Sequence, residues 1–260
     1  MIYATDLDRT IIFSNKFLDD CDEEVVCVEE KNDTTISYMT VSSLNKLEKL
    51  KAESNLNVIP TTTRSVVQFQ RVRPFQDCKF AITSNGGTIL YNGKVFLPWY
   101  NYIQRVLSGY VNDFKIIPEQ LKVYSDYFDK PLKIVDNMFF YGKLKSNTEK
   151  NEELLSILNI ELNKAKWSFT LQGLKLYIIP KEISKENAIL YLKRYLNDDC
   201  LIVSGDGKLD LNFLSVGDIR IIPDGSEVLS SLPDSSFVYK SVPKGLKGTY
   251  DLLNIVEQNL

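Results

Sequence analysis

The chain has 260 residues, of which 44% are apolar and 25% are charged, and its net charge of −3 provides no general attraction for nucleic acid or an anionic membrane. It contains no histidine, which excludes Ser-His-Asp and Cys-His nucleophile pairs and metal sites with imidazole ligands. Catalysis would therefore use carboxylates, lysine, hydroxyl groups or a metal ion held by oxygen atoms.

The cysteines and the hydropathy pattern indicate the expected cellular setting. No C-x-x-C spacing occurs among Cys21, Cys27, Cys78 and Cys200, and no basic segment followed by an apolar one stands at the N terminus. No apolar run approaches the roughly 18 residues typical of a membrane span. We therefore expect a reduced, cytoplasmic protein whose partners are small molecules.

The first part of the chain alternates predicted strands and helices. Apolar segments predict strands at 1–4, 56–59 and 80–83, and hairpins at 24–38 and around Asn92-Gly93. Thr40 is the predicted N-cap of a helix at 41–50, and another helix is predicted at 65–72. Strands separated by helices indicate a parallel sheet with crossover connections.

The middle of the chain follows a different order. Apolar residues with helical spacing from 103 to 114 predict one helix, followed by strand-like segments at 121–127 and 132–144. A capping box at Ser146 and Glu149 predicts a second helix, and a strand follows at 167–171. This order predicts a small inserted α+β domain.

Alternation resumes in the last part of the chain. The predicted strands lie at 174–179, 201–204 and 219–222, and the predicted helices at 184–196, 209–214 and 248–258. The expected organisation is a doubly wound parallel-sheet α/β core at 1–97 and 174–260, with the inserted domain at 98–173.

Polar residues follow four of the predicted strands, at the sheet edge where α/β folds bind ligands. They are Asp6, Asp8, Thr62, Lys185, Asp206 and Asp210. Clustered carboxylates repel one another, so either their pKa values are raised or a cation lies among them. Oxygen donors favour a hard ion such as Mg²⁺ over zinc, and carboxylates, Mg²⁺, a hydroxyl and a lysine together form a phosphate site.

Four ordered motifs resemble those of the haloacid dehalogenase (HAD) superfamily. They are Asp6-Leu7-Asp8-Arg9-Thr10, Thr62, Lys185 and Gly205-Asp206-Gly207-Lys208-Leu209-Asp210. The segment Ser84-Asn85-Gly86-Gly87 further resembles the Asn-Gly-Ala segment of the Cof-type, C2-capped branch. The resemblance spans essentially the whole chain and implies a HAD-like Rossmannoid core with a C2-type cap at 98–173 that closes over the substrate.

The resemblance implies a role for each matched aspartate. Asp6 is implied as the nucleophile that attacks phosphorus and forms an aspartyl-phosphate. Asp8 is implied as the group that protonates the leaving oxygen and later deprotonates water. Since a halide leaving group needs no proton, the presence of Asp8 favours a phosphatase over a dehalogenase.

The resemblance also implies a Mg²⁺ cofactor and a phosphate site. Asp6, the backbone carbonyl of Asp8 and Asp206 are the implied metal ligands, with Asp210 as a ligand or a support. Thr62 and Lys185 are implied to hold the phosphate, and Lys185 to pair with the nucleophile. The predicted substrate contacts are Thr10, Thr63, Arg64, Asn85 and Gly86.

Other interpretations of these residues stay open. Lys181 is a rival for the position of Lys185, Thr63 and Arg64 can serve the local backbone and the following helix, and Asn85 can be a turn residue. Asp-x-Asp alone is often a solvated loop, and Gly205-Asp206-Gly207 can be a simple tight turn.

Two departures from the family pattern bear on activity. Thr63 stands where the family usually has glycine, which narrows backbone freedom, and Leu209 stands where asparagine is common, which removes a polar group near the metal. The first motif with Ile11-Ile12-Phe13-Ser14, taken with Thr-Thr-Arg and Ser-Asn-Gly-Gly, also resembles HAD hydrolases found beside bacterial tellurium-resistance genes.

The predicted function is a Mg²⁺-dependent phosphatase that hydrolyses a small phosphomonoester, either a sugar phosphate or a nucleotide-like metabolite. One alternative is a phosphomutase resembling phosphomannomutase. Another is a catalytically weak protein that binds a phosphorylated metabolite, which the departures at Thr63 and Leu209 suggest. The sequence predicts neither the exact substrate nor the oligomeric state.

Overall fold

The computed structural model describes residues 1–19, 21–145, 154–156, 158, 166–232 and 238–260. The chain divides into two compact units. The first comprises Met1–Phe96 and Ser184–Leu260, and the second comprises Leu97–Ile183. No helix in the described ranges combines the length and the apolar character that crossing a membrane requires.

A parallel sheet forms the centre of the first unit. Within the described residues its strands run, from edge to edge, in the order β15 (Tyr239–Ser241), β14 (Ile219–Pro223), β13 (Leu201–Ser204), β1 (Ile2–Thr5) and β5 (Asn57–Pro60). The central strand β1 pairs with β13 and β5, so that Thr5 lies opposite both Ser204 and Pro60. The residues that follow these three strands therefore meet at one edge of the sheet.

Helices alternate with the strands of this sheet along the chain, in the order of an α/β fold. They are α1 (Val41–Lys51), α2 (Val66–Phe69), α5 (Lys185–Leu196), α6 (Leu211–Ser215) and α7 (Gly248–Gln258). Thr40 caps α1 as predicted, since its Oγ1 accepts a hydrogen bond of 3.1 Å from the Ser43 N–H. Leu47 and Leu50 of α1 are fully buried in the core of this unit.

Two small antiparallel sheets complete the first unit. One has the order β2 (Phe13–Ser14), β4 (Thr34–Thr40) and β3 (Val25–Lys31), and the other joins β6 (Phe80–Thr83), β7 (Thr88–Tyr91) and β8 (Lys94–Val95). The pairing of β3 with β4 shifts register on both sides of Glu29, which marks a β-bulge.

The second unit is α+β. Its helices are α3 (Leu97–Ser108) and α4 (Asp113–Leu121), and its antiparallel sheet has the order β11 (Trp167–Gln172), β12 (Lys175–Pro180), β10 (Phe139–Lys143) and β9 (Lys133–Val135). Phe140, Leu176 and Ile178 are fully buried and form part of the core of this unit.

The second unit corrects two details of the sequence prediction. The single helix expected through residue 114 is two helices, because the chain turns at Gly109, a residue that weakens helices. The strand expected at 121–127 is wrong. Ile117 and Leu121, four residues apart, are both buried on one side of α4, and 3₁₀ turns follow at Lys122–Tyr127.

The segment predicted as strand 174–179 forms β12, which pairs with β10 and β11 in the sheet of the second unit. This unit therefore ends at Ile183 rather than at residue 173. The helix predicted from the capping box at Ser146 lies mostly outside the described residues. Strand β15 has no counterpart in the sequence prediction.

Candidate active site

Three buried carboxyl groups lie together at the carboxyl edge of the parallel sheet. Asp6 follows β1, Asp206 follows β13, and Asp210 lies just before α6. They are 6%, 3% and 2% exposed, and one carboxylate oxygen of each lies within 4.8 Å of the others. The strand order brings them together, because β1 and β13 are neighbours.

Lys185 is the buried cation of this cluster. It is the first residue of α5, and its Nζ donates hydrogen bonds to Asp6 Oδ1 at 2.6 Å and to Asp210 Oδ1 at 2.7 Å. The rival Lys181 is exposed. Ser184 caps α5 by accepting a hydrogen bond of 3.2 Å from the Asn187 N–H, which fixes where the helix and its first side chain begin.

The electrostatics of the cluster favour a cation. Burial raises the pKa of Asp6 and of Asp206, and neighbouring carboxylates raise both further, although Lys185 acts in the opposite direction. Burial alone would lower the pKa of Lys185, but Asp210 and Asp6 outweigh it and raise that pKa above its usual value. When all three carboxyl groups are ionised, one buried lysine leaves an excess of negative charge that a further cation would offset.

Arg9 contributes a second, more exposed cation. Its Nε lies 2.9 Å from Asp206 Oδ2, and its backbone has a φ of 65°, which is uncommon for a residue with a side chain. A cavity of about 270 Å³ beside Asp206 is lined by Arg9, Phe13, Phe17 and Lys244, among others. Arg9 therefore contacts the carboxylate cluster and also lines the cavity.

The predicted substrate-binding segment around Asn85 supports Lys185 through the backbone. Gly86 has a φ of 96°, and a Cβ at this position would lie 2.1 Å from the Ser184 carbonyl oxygen. Asn85 is 5% exposed, has left-handed backbone angles, and donates its N–H to the Thr62 carbonyl oxygen at 3.0 Å. This segment therefore contacts both the residue that follows β5 closely, Thr62, and the residue before α5, Ser184.

The three threonines predicted to be in the site differ in their burial and in their contacts. Thr62 follows β5, is fully buried, and accepts a hydrogen bond of 3.2 Å at Oγ1 from the Arg64 N–H. Thr10 is also fully buried, and its hydroxyl points to Asp6 Oδ2 at 3.4 Å, a position that supports Asp6. Thr63 is half-buried beside Thr62.

Asp8 lies apart from the three buried carboxyl groups and pairs with Arg64. Arg64 donates from Nε to Asp8 Oδ2 and from Nη2 to Asp8 Oδ1, both at 2.8 Å. The guanidinium also donates from Nη1 to Glu29 Oε2 at 2.8 Å. Burial opposes the charge of Arg64, but Asp8 and Glu29 outweigh it and raise the pKa of Arg64. Arg64, which the sequence predicts as a substrate contact, is thus already bound to two carboxylates.

The donor set fits a hard divalent cation. Asp6, Asp206 and Asp210 offer only carboxylate oxygens, the ligands that Mg²⁺ prefers. Both oxygens of Asp210 are already engaged, Oδ1 by Lys185 and Oδ2 by the Gly207 N–H at 2.9 Å. Asp210 is therefore better placed to support the site than to bind an ion directly.

Sequence reasoning missed two residues of this region. Arg9 stands inside the first motif without a predicted role, and Glu29 stands in the hairpin predicted at 24–38, also without a predicted role. Glu29 is fully buried. The only signal for Arg9 was its place between Asp8 and Thr10, and Glu29 had none.

Comparisons with known proteins identify the fold. No family model and no curated protein matches the sequence. Sucrose-phosphatase from Synechocystis sp. PCC6803, solved with sucrose and phosphate, has a TM-score of 0.66 at 15% identity, over 99% of this chain and 97% of that chain. A haloacid dehalogenase-like hydrolase from B. subtilis has a TM-score of 0.62 at 12% identity, over 100% and 99% of the two chains.

A third structure, a phosphatase of the haloalkanoate enzyme superfamily from Bacteroides thetaiotaomicron, has a TM-score of 0.56 at 15% identity, over 99% of this chain and 94% of that chain. At such identities the likeness concerns the fold. The chain has the fold of the haloacid dehalogenase-like hydrolases, with a parallel α/β core and a second, α+β unit.

Proposed function

We propose that the protein is a Mg²⁺-dependent phosphatase that hydrolyses a small phosphomonoester through an aspartyl-phosphate on Asp6. The observation that carries the proposal is Lys185, a buried lysine bonded to both Asp6 and Asp210 beside Asp206 at the carboxyl edge of the sheet. The phosphatases among the structures of similar fold support it.

Asp6 would act as the nucleophile. Lys185 holds Asp6 Oδ1, whereas among the described residues Oδ2 has only the long hydrogen bond from Thr10, so Oδ2 is the better placed oxygen for attack. A bond forms between this oxygen and phosphorus while the bond from phosphorus to the leaving oxygen breaks. Lys185 favours the ionised form of Asp6 and places positive charge where the phosphoryl oxygens develop charge.

Asp8 would move the proton. It gives a proton to the leaving oxygen in the first step and takes one from water in the second, when water attacks phosphorus and frees Asp6. Its side chain is half exposed, at 50%, so it is accessible to a leaving group and to water. The Thr62 hydroxyl, at the end of the neighbouring strand, would hold a phosphoryl oxygen.

Mg²⁺ would be held by Asp6, Asp206 and the backbone carbonyl of Asp8, with Asp210 as support. When bound it would neutralise charge on the phosphoryl group. The second unit, Leu97–Ile183, is proposed as the C2-type cap and as the source of specificity for a sugar phosphate or a nucleotide-like phosphate.

A phosphate-release assay tests this function. The wild type is incubated with a panel of sugar phosphates and nucleotides, with Mg²⁺ or with a chelator, beside D6N and a surface control, D199N, which changes an exposed aspartate in the same way. We expect Mg²⁺-dependent release by the wild type and by D199N, and none by D6N. Absence of release from every ester, or isomerisation of a sugar phosphate without net release, would contradict the proposal.

A further inference from the structure

A network of four charged side chains, centred on the buried Glu29, connects the β3–β4 hairpin to Asp8. Glu29 lies on β3 and is 0% exposed, although a carboxylate is costly to bury without partners. It accepts hydrogen bonds from Arg64 Nη1 at 2.8 Å, from Ser37 Oγ at 2.7 Å and from Arg71 Nε at 3.2 Å. All the contacts lie within the first unit.

The β-bulge explains why an acidic residue of an exposed hairpin points inward. A regular strand alternates its side chains between two faces, but Val28 and Glu29 are adjacent and both buried. The register shifts on both sides of Glu29 break that alternation. A bulge that redirects one side chain in this way is common beside active sites.

The network is balanced in charge and fixed in geometry. When Asp8 is ionised, Asp8 and Glu29 supply two negative charges, and Arg64 and Arg71 supply two positive ones. Arg64 is only 12% exposed and uses its planar fork on Asp8 while its remaining terminal nitrogen binds Glu29. Glu29 therefore shares the charge of Arg64 and holds its side chain in the orientation that aligns the Asp8 carboxylate.

Asp8 remains able to react in this arrangement. The Asp8 side chain stays half exposed while the arginine behind it is buried. Arg64 thus orients the group without covering it.

We propose that Glu29 is a positioning residue that acts through Arg64 to orient Asp8 for proton transfer to the leaving group. This inference rests on the proposed phosphatase function and adds to it a residue outside the four motifs. A buried ion network retained for positioning, rather than for stability, is consistent with the weak net stabilisation that such networks give.

Leaving-group dependence tests the role of Glu29. A poor leaving group such as an alkoxide needs a proton from Asp8, whereas nitrophenolate needs little help. We would measure kcat/KM for glycerol phosphate and for nitrophenyl phosphate with wild type, D8N and E29Q. In E29Q we expect kcat/KM for the alkyl ester to fall about tenfold or more, with a change of less than about threefold for the aryl ester.

The matched control is E257Q, which removes a different carboxylate that also binds two cations, Lys46 and Lys49. E257Q should leave kcat/KM for both esters unchanged. If thermal unfolding shows that E29Q is misfolded, two other variants test the same role. E29D retains the charge, and R64K retains the cation but loses the fork, and both should show the same selective loss.

The outcomes separate this inference from the proposed function. If E29Q, E29D and R64K lose kcat/KM equally for both esters, or lose none, the positioning role of Glu29 would be overturned. A selective loss of kcat/KM for the alkyl ester in D8N would in that case still support Asp8 as the acid. If the wild type is active and D8N loses kcat/KM equally for the alkyl and the aryl ester, the role of Asp8 would be overturned, and with it that of Glu29. No phosphate release by the wild type would overturn both proposals.

Discussion

Gly86 packs so closely against Ser184 that a Cβ at position 86 would lie 2.1 Å from the Ser184 carbonyl oxygen. Ser184 is the residue before Lys185, whose Nζ bonds the proposed nucleophile Asp6. The backbone contact therefore fixes the start of α5 and, with it, the position of the lysine that we propose as catalytic. The glycine is required by this contact and by its positive φ.

The first prediction concerns this contact. G86A should destabilise the protein and lower activity, because the methyl group collides with backbone that cannot move away without shifting Lys185. The control is G93A, a glycine that also has a positive φ, of 73°, but nothing within 4 Å of the added Cβ. G93A should cost only the left-handed backbone strain, about 1 kcal/mol. Similar unfolding free energies and activities for the two variants, by denaturant titration and phosphate release, would contradict this account.

Lys185 should be essential for both stability and activity. K185M removes the cation between Asp6 and Asp210 and leaves buried carboxylates uncompensated, which typically costs about 3–5 kcal/mol. We expect at least about a 100-fold loss of kcat, since the charge also serves the transition state. K181M, which changes the exposed rival lysine, should match the wild type. A K185M enzyme of normal activity would reject the assignment.

The convergence of Asp6, Asp206 and Lys185 could be predicted because each follows a strand or opens a helix at one edge of a parallel sheet. Short apolar runs predict the strands that Asp6 and Asp206 follow, and an N-cap serine predicts the start of the helix that Lys185 opens. The Glu29–Arg64 contact could not be predicted. It depends on a bulge and on pairing between residues distant in sequence.

The extent of the second unit escaped prediction for a similar reason. The segment that forms β12 is a short apolar run that suits a strand in either unit. Only its antiparallel pairing with β10 and β11 assigns it, and that pairing is a long-range choice. Likewise, the apolar periodicity from 103 to 114 continues across Gly109 and gave no sign of the turn there.

The stability of the metal-free protein should fall as the pH rises toward neutrality and above. The pKa values of Asp6 and Asp206 are raised in the folded state, chiefly by burial. Their contribution is therefore fully present below the usual value of 3.8 and is lost as the pH rises through the folded values. Thermal unfolding in a chelator should show a lower Tm at pH 8 than at pH 5.

Mg²⁺ should reverse that loss, because the proposed ion would bind the folded protein and would need ionised carboxylates. The increase in Tm on adding Mg²⁺ should be larger at pH 8 than at pH 5. The variant D206N should lose most of this increase and should itself be less sensitive to pH in the chelator. A Mg²⁺ effect that D206N retains in full would place the ion elsewhere.

A last prediction concerns acid stability and residues that are not part of the carboxylate cluster. Glu257 of α7 accepts from Lys46 and Lys49 of α1, and these hydrogen bonds lower its pKa to about 2. A lowered folded pKa gives stability that is present above the usual value of 4.5 and is lost as the pH falls toward 2. E257Q should therefore lose less stability than the wild type over that interval, in denaturant titrations at each pH. E53Q, which changes an exposed glutamate just beyond α1, should keep the steeper wild-type profile. If E257Q and the wild type lost stability in parallel, the ion pairs between α1 and α7 would contribute nothing to acid resistance.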